Sequence, residues 1–199
     1  MNRTEIINSL IAKNNFKSYL EIGLANPYDN FAQIQCETKH SVDPFFGCDI
    51  SPIRDFLTYR NTSDEFFMNS SYKYDIIFID GLHTERQCGI DIINSLKHLN
   101  ENGIIVVHDC LPKTKEAQDI CANGDVWKCF PELKKQFIDY DVVDCDQGCG
   151  IIKYTPHYMY LNYLQKSDYS YSDFEQNMKT LMNVITPDEF IEKYINTND

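Results

Sequence analysis

The sequence has no run of basic residues, and its 18 lysines and arginines are outnumbered by 30 aspartates and glutamates. The formal net charge of −12 at pH 7 leaves no basic face for the phosphate contacts that nucleic-acid binding requires. We therefore expect no nucleic-acid partner, and we interpret the acidic charge as a means of keeping the surface soluble.

Long apolar runs are also missing. No segment approaches the roughly 20 apolar residues that a membrane-spanning helix needs. Residues 1–5 lack the apolar core of a signal peptide. These absences predict a cytoplasmic protein with no membrane partner.

The eight cysteines include no Cys-x-x-Cys pair, the spacing typical of many zinc and redox sites. A chain of 199 residues can bury a core large enough to fold without disulfide bonds. We expect reduced, mostly buried thiols. A zinc site at Cys145 and Cys149 is the alternative.

Two short apolar runs, residues 74–83 and 103–110, end in Asp and His, and a helix-like segment lies between them. Continuous apolar runs rich in β-branched residues are typical of strands buried in a parallel sheet. Neighbouring parallel strands end at the same edge, which is where open α/β sheets bind their ligands. Four side chains are therefore expected in one crevice: Asp80, His83, His108 and Asp109.

The rest of the chain predicts alternating strands and helices, and hence an α/β fold. Expected helices cover residues 2–14, 62–67 and 84–99, and two further helices begin at Ser172 and Thr186. Expected strands cover residues 16–22, 39–43, 140–144 and 149–154, the last two forming an antiparallel hairpin, whereas residues 44–60 suggest loops. We expect residues 1–155 to form one domain, with residues 156–199 as a helical extension packed on it.

The first strand ends in Glu21-Ile22-Gly23, and Asp43 follows twenty residues later at the end of the second strand. A glycine at this place allows a ligand to approach the backbone, and an acid at this separation suits the hydroxyls of a ribose. Two plainer interpretations remain open: a tight turn without a ligand, and acids that only cap the following helices or turns.

Five short motifs occur in an order that resembles the class I S-adenosylmethionine-dependent methyltransferases. Within that class the chain is similar to the small-molecule and sugar methyltransferase family Methyltransf_24. The motifs are residues 19–23 (YLEIG), 41–44 (SVDP), 62–67 (TSDEFF), 78–83 (FIDGLH) and 107–110 (VHDC). Later pieces at residues 124–128 and 146–150 and in the C-terminal tail extend the resemblance over nearly the whole chain.

The resemblance implies a Rossmann-like sheet of seven strands, the last antiparallel, with helices on both faces. It also implies S-adenosylmethionine as cofactor. The implied binding positions are Glu21 and Gly23 for the methionine part, Asp43 for the ribose, Ser63 and Asp64 for the adenine, and Asp80 for the sulfonium.

The acceptor side is expected at His83, His108 and Asp109. Neutral imidazole titrates close to working pH, so either histidine is a candidate base. Related sugar methyltransferases bind a divalent metal at these strand ends, and the matching residues here are Asp80, His108 and Asp109. A histidine in place of a carboxylate disfavours magnesium, which prefers oxygen ligands.

The predicted function is S-adenosylmethionine-dependent methyl transfer to a small molecule or a sugar hydroxyl. A non-catalytic scaffold that binds the cofactor or a sugar is an alternative on the same fold. An NAD-dependent oxidoreductase is less favoured, because the first loop lacks a G-x-G-x-x-G run.

Overall fold

The computed structural model of the chain describes residues 1–47, 49–154, 156, 161 and 163–197. The expected domain boundary falls at Thr155, which lies outside the described residues, as does Cys48.

In the part of the chain that the structure describes, eight strands form a single central sheet. They are β1 Ser18–Ile22, β2 Thr38–Val42, β3 Leu57–Tyr59, β4 Tyr74–Ile79, β5 Leu99–Val107, β6 Tyr140–Val143, β7 Cys149–Lys153 and β8 Val184–Ile185. Their order is β3-β2-β1-β4-β5-β7-β6-β8. Strands β1 to β5 are parallel, and β7 runs antiparallel to both β5 and β6. The predicted fold with an antiparallel seventh strand is confirmed, and an eighth strand of two residues adds to its edge.

Helices cover both faces of this sheet. They are α1 Arg3–Asn14, α2 Ser63–Asn69, α3 Glu85–Lys97, α4 Cys129–Lys135, α5 Tyr171–Leu181 and α6 Pro187–Phe190, which continues as the π-helical segment Ile191–Ile195. Within the described residues, no helix is long and apolar enough to cross a membrane.

The predicted helix starts at Asn2 and Thr186 are confirmed, since each side chain accepts a hydrogen bond from the third backbone N–H of its helix. The start predicted at Ser172 is wrong. Ser170 caps α5 instead, and Asp173 completes the capping box. The segment offers a serine followed by an acid three residues later in two overlapping frames, and local pattern does not separate them.

Side chains that alternate along the strands build one apolar layer on each face of the sheet. In β4, Ile77 belongs to the layer formed with α3, α4 and α5. Its neighbours Ile76 and Phe78 belong to the layer formed with α1 and the C-terminal helix. Trp127 is fully buried in the first layer, with its ring centroid 4.7 Å from that of Phe174.

The seven cysteines in the described part of the chain are free thiols, and four of them are buried. Cys145 and Cys149 lie close enough for their thiols to interact. Within the same described residues, the one group of three or more candidate metal ligands lies elsewhere. The alternative zinc site therefore gains no support from the structure.

Candidate active site

A cavity of about 630 Å³ opens at the carboxyl ends of β1, β2, β4 and β5. All nine residues expected at the site line it: Glu21, Gly23, Asp43, Ser63, Asp64, Asp80, His83, His108 and Asp109. The structure thus brings the whole set together, while the role of each residue stays a prediction.

Gly23 lets the end of β1 lie against the end of β4. Its φ is +90°, and a Cβ atom at this position would stand 2.0 Å from the carbonyl oxygen of Asp80. The backbone N–H of Asp80 in turn donates to the carbonyl of Ile22 at 2.8 Å. A single glycine is therefore needed for packing, whatever it also offers to a ligand.

Glu21 presents a buried carboxyl group to the cavity. It accepts hydrogen bonds from the hydroxyl of Tyr19 and, at 2.9 Å, from the amide of Asn30. Burial raises the pKa of Glu21 to about 8, although these two hydrogen bonds act in the opposite direction. Near neutral pH the carboxyl is therefore mostly protonated.

Asp43 is oriented by the backbone around it. One carboxylate oxygen accepts from the N–H of Leu24 at 2.7 Å, and the other accepts from the N–H of Phe45 at 2.8 Å. Each oxygen keeps a second lone pair for a ligand. This geometry suits a pair of neighbouring hydroxyl groups.

Gln87 and Asp91 of α3 join the predicted pair Ser63 and Asp64. The Gln87 amide nitrogen lies 3.2 Å from Ser63 Oγ, 3.2 Å from Asp64 Oδ1 and 3.1 Å from Asp91 Oδ1. Burial raises the pKa of Asp91 to about 6. The sequence analysis did not include Gln87 and Asp91 in the site. Their spacing by one helical turn could have indicated them, but an ordinary polar helix face has the same spacing.

The other end of the cavity holds a cluster of two histidines and two carboxylates. Nε2 of His83 lies 3.5 Å from Asp80 Oδ1 and 3.3 Å from Asp109 Oδ2. Nδ1 of His108 lies 3.3 Å from each of the same two oxygens. Asp109 adopts a φ of +61°, which is uncommon outside glycine and occurs preferentially at functional sites.

Charges in this cluster set the protonation of His108. Burial alone would lower its pKa, but Asp109, Asp146 and Asp80 outweigh burial and raise the pKa to about 11. Burial likewise acts to raise the pKa of Asp80, and the two histidines reverse this and hold it well below its usual range. His108 therefore keeps its proton at neutral pH and stabilises the neighbouring carboxylates.

Arg3 and Asp146 complete the cluster and were not predicted. Asp146 Oδ2 accepts from the backbone N–H of Arg3 at 2.9 Å, and Asp146 Oδ1 lies 3.7 Å from His108 Nε2. Arg3 Nη1 is 3.2 Å from the same His108 nitrogen. Asp146 lies in a turn between two predicted strands and opens the piece at residues 146–150 that extends the resemblance, but neither signal gave it a role, and Arg3 carried no signal.

The family model described as "Methyltransferase domain", Methyltransf_24, matches residues 28–110. The match spans β2 to β5 and includes the motifs around Asp43, Asp64, Asp80 and Asp109. This part of the chain is similar to a methyltransferase domain. The resemblance to class I methyltransferases is confirmed, although the family match is shorter than the nearly complete coverage suggested by the motifs. No curated protein matches the sequence.

Solved structures with the same fold are distant in sequence. A provisionally assigned caffeoyl-CoA O-methyltransferase from Staphylococcus aureus is 18% identical, with a TM-score of 0.56 over 78% of this chain and 85% of that chain. The O-methyltransferase TomG from Streptomyces achromogenes, in complex with SAM, is 13% identical, with a TM-score of 0.58 over 75% and 78%. An O-methyltransferase from Bacillus cereus, in complex with SAH, is 11% identical, with a TM-score of 0.55 over 78% and 82%.

A divalent cation would fit the cavity at Asp80, His83 and Asp109. Nδ1 of His83 contacts the carbonyl oxygen of Ala122, which can only accept, so Nδ1 carries a proton and Nε2 is the ring nitrogen left for a cation beside the two carboxylates. One ligand atom from each of the three residues lies within 4.8 Å of the others. This set contains His83 where the predicted set has His108, and its nitrogen suits a transition metal better than magnesium.

A loop that follows β5 holds His83 in this position. Gly124, with a φ of +62°, packs so closely that a Cβ atom there would stand 1.7 Å from the carbonyl oxygen of His83. The same loop contributes the Ala122 carbonyl that contacts the imidazole. Gly124, which lies in the segment 124–128 that is part of the resemblance, therefore helps to hold His83 in the cavity wall.

Proposed function

We propose that this protein transfers the methyl group of S-adenosylmethionine to a hydroxyl group of a small molecule or sugar. The cavity at the strand ends carries this proposal. At one end it presents oxygen acceptors suited to a nucleoside that carries an amino-acid group. At the other end it holds a cluster of histidine and carboxylate groups suited to proton transfer. The methyltransferase domain and the fold shared with cofactor-bound relatives support the same assignment.

Residues at the ends of β1, β2 and β4 and at the start of α2 are proposed to hold the cofactor. Glu21 would accept hydrogen bonds from the ammonium of the methionine part, and Asp43 would accept from the ribose hydroxyls. Ser63 and Asp64 would border the adenine, and the carboxylate of Asp80 would stand beside the sulfonium. When bound, S-adenosylmethionine supplies an activated methyl group, so the protein has mainly to align the acceptor and remove its proton.

His83 is the proposed acceptor of that proton. In the neutral imidazole its Nε2 carries the lone pair, and the side chain is less buried than that of His108. The hydroxyl proton would pass to Nε2 as the methyl group is transferred, and Asp80 and Asp109 would stabilise the resulting imidazolium. Hydrogen bonding to the carboxylate of Asp80 is the first cause of the raised pKa at His83, because it favours that imidazolium.

A metal-assisted route is the second candidate, because the same Nε2 and the carboxylates of Asp80 and Asp109 converge within ligand distance. A cation held there would lower the pKa of an acceptor hydroxyl by direct coordination. Turnover would then be lost on chelation and restored by a divalent ion such as Mn²⁺. In the His83 route, chelation has no effect on turnover.

Calorimetric titration with S-adenosylmethionine, S-adenosylhomocysteine and NAD tests the proposal. We expect both adenosyl ligands to bind and NAD to remain unbound. Incubation with S-adenosylmethionine and a panel of sugars and small hydroxyl compounds should then yield S-adenosylhomocysteine, detected by mass spectrometry. Binding without product for any acceptor class would favour the scaffold, and preference for NAD would favour the oxidoreductase.

Parallel variants His83→Asn and His108→Asn separate the two histidines. We expect His83→Asn to lower turnover at least about a hundredfold, the effect typical of removing a general base, with cofactor affinity nearly unchanged. His108→Asn removes a buried positive charge from a group of carboxylates, so it should lower thermal stability. A loss of turnover confined to His108→Asn would instead assign the base to His108.

A further inference from the structure

The cavity is rich in acids and contains one permanent cation. Among the described residues that line it, Arg3 is the sole lysine or arginine, whereas the acids include Glu21, Asp43, Asp80 and Asp109. An S-adenosylmethionine molecule carries two positive groups that suit such a cavity. Its carboxylate does not, because nearby carboxylates repel it and desolvation adds to the penalty.

The guanidinium of Arg3 is held at one nitrogen and leaves another for a ligand. Nη1 donates to Asp146 Oδ1 at 3.4 Å and to Asp146 Oδ2 at 3.3 Å. Nε is buried, whereas Nη2 is not among the buried nitrogens and makes no hydrogen bond to any described residue. Nη2 is therefore the nitrogen that can donate a charge-assisted hydrogen bond to a carboxylate.

We infer that Arg3 binds the carboxylate of the cofactor's methionine part through Nη2, an inference that rests on the proposed function. Asp146 holds the arginine in place from the other side, through the backbone N–H at 2.9 Å and through Nη1. Arg3 lines the cavity, so Nη2 can supply the positive charge that the carboxylate needs among the acids.

The assignment makes α1 part of the cofactor site. Thr4, the next residue along α1, donates to Asn30 Oδ1 at 2.8 Å, and Asn30 donates to Glu21 Oε2 at 2.9 Å. The first turn of α1 therefore contributes to both ends of the amino-acid part: a cation for the carboxylate, and support for the acid that faces the ammonium.

Arg3 also connects α1 to Asp146 in the turn after β6, so a purely structural role is the competing explanation. The two explanations differ in how they depend on the ligand. A carboxylate-binding arginine matters only for ligands that have the carboxylate. A structural arginine matters equally for all ligands of the cavity.

Calorimetry with S-adenosylmethionine and its decarboxylated analogue, S-adenosyl-3-methylthiopropylamine, distinguishes them. The variants are Arg3→Met, which keeps most of the apolar stem, and Arg3→Lys, which keeps the charge but not the planar guanidinium. Arg54→Met is the matched control, because it removes one positive charge from an exposed site outside the cavity.

We expect Arg3→Met to weaken S-adenosylmethionine binding by about tenfold or more, the scale of one charge-assisted hydrogen-bonded pair. In Arg3→Met, affinity for the decarboxylated analogue should change by less than about twofold. Arg3→Lys should have an affinity for S-adenosylmethionine between those of Arg3→Met and the unmodified protein. Arg54→Met should bind both ligands as the unmodified protein does.

An equal loss of affinity for both ligands in Arg3→Met would overturn the inference in favour of the structural role, as would no loss for either. If the unmodified protein binds neither adenosyl ligand, the proposed function fails, and this inference fails with it.

Discussion

Glu21 combines full burial with a position in the wall of the cavity. A protonated carboxyl can remain there without a counter-ion, and its hydrogen bonds with Tyr19 and Asn30 fix its orientation. A cationic ligand group changes this balance, since it favours the ionised form. Glu21 is therefore suited to couple cofactor binding to proton release.

The sign of the coupling follows from the pKa of about 8, which lies above the usual value of 4.5. Below that pKa the free protein holds the proton, and an ammonium beside Glu21 would expel it. We predict that binding of S-adenosylmethionine near neutral pH releases up to about one proton per site. Calorimetry in two buffers with different ionisation enthalpies measures the number of protons released.

Glu21→Gln is the control for proton release, because it keeps the shape and cannot ionise. The variant should bind the cofactor more weakly and exchange no proton at this site. Proton release of the same size in Glu21→Gln would assign it to another group. Binding to the unmodified protein without any release would contradict the ionisation of Glu21.

Acids and histidines that directly follow apolar strands could be located in the cavity from sequence, because strand direction alone places them at one edge. Asp80 and Asp109 illustrate this case. Arg3 and Asp146 could not, since their approach depends on how α1 packs across the sheet, a long-range contact without a local pattern. The protonation of His108 was also beyond the sequence, because it depends on three carboxylates converging on one ring.

The junction of β1 and β4 depends on Gly23. We predict that Gly23→Ala destabilises the protein by more than about 2 kcal/mol, because an L-residue at positive φ is strained and its Cβ would overlap the Asp80 carbonyl. The variant should also lose cofactor affinity, since the Asp80 backbone would have to move. Urea denaturation measures the first effect and calorimetry the second.

Gly47→Ala is the matched control, because its Cβ would meet only the Phe45 ring at an ordinary 3.8 Å. It should change stability by less than about 0.5 kcal/mol, as surface substitutions commonly do. Equal stability of the two variants would show that the strand ends can separate at little cost.

Local pattern located the long buried strands and most helix starts, but not the short edge elements. The three residues of β3 lie in a segment expected to be loops and, among the described strands, pair only with β2. In the same set of strands, the two residues of β8 pair only with β6. Strands this short carry too few residues for a periodic signal, and neighbours distant in sequence decide their conformation.

The C-terminal segment is built into both layers of the molecule. Phe174 packs on Trp127 in one layer, and Phe190 is fully buried in the other. The buried carboxylate of Asp141 accepts hydrogen bonds from Asn183 at 2.6 Å and from the hydroxyl of Tyr194, and Lys193 Nζ lies 2.6 Å away. These contacts support the expectation that residues 156–199 form an extension packed on the same domain, which stays a prediction.

Cooperative unfolding tests that expectation. Phe190→Ala would remove a fully buried ring from the layer shared with α1, and such changes typically lower the free energy of unfolding by about 3–5 kcal/mol. If the extension and the domain fold as one unit, urea denaturation followed by far-UV circular dichroism and by Trp127 fluorescence should give one coincident transition, shifted to lower urea.

Phe137→Ala is the control for Phe190→Ala, because its ring is 85% exposed and its removal should leave the midpoint almost unchanged. A Phe190→Ala protein that loses helical signal first, with Trp127 fluorescence unaltered until higher urea, would show the C-terminal segment unfolding separately. Coincident shifts in both signals would mean that the sheet carrying the candidate site is stabilised by residues far beyond the matched family region.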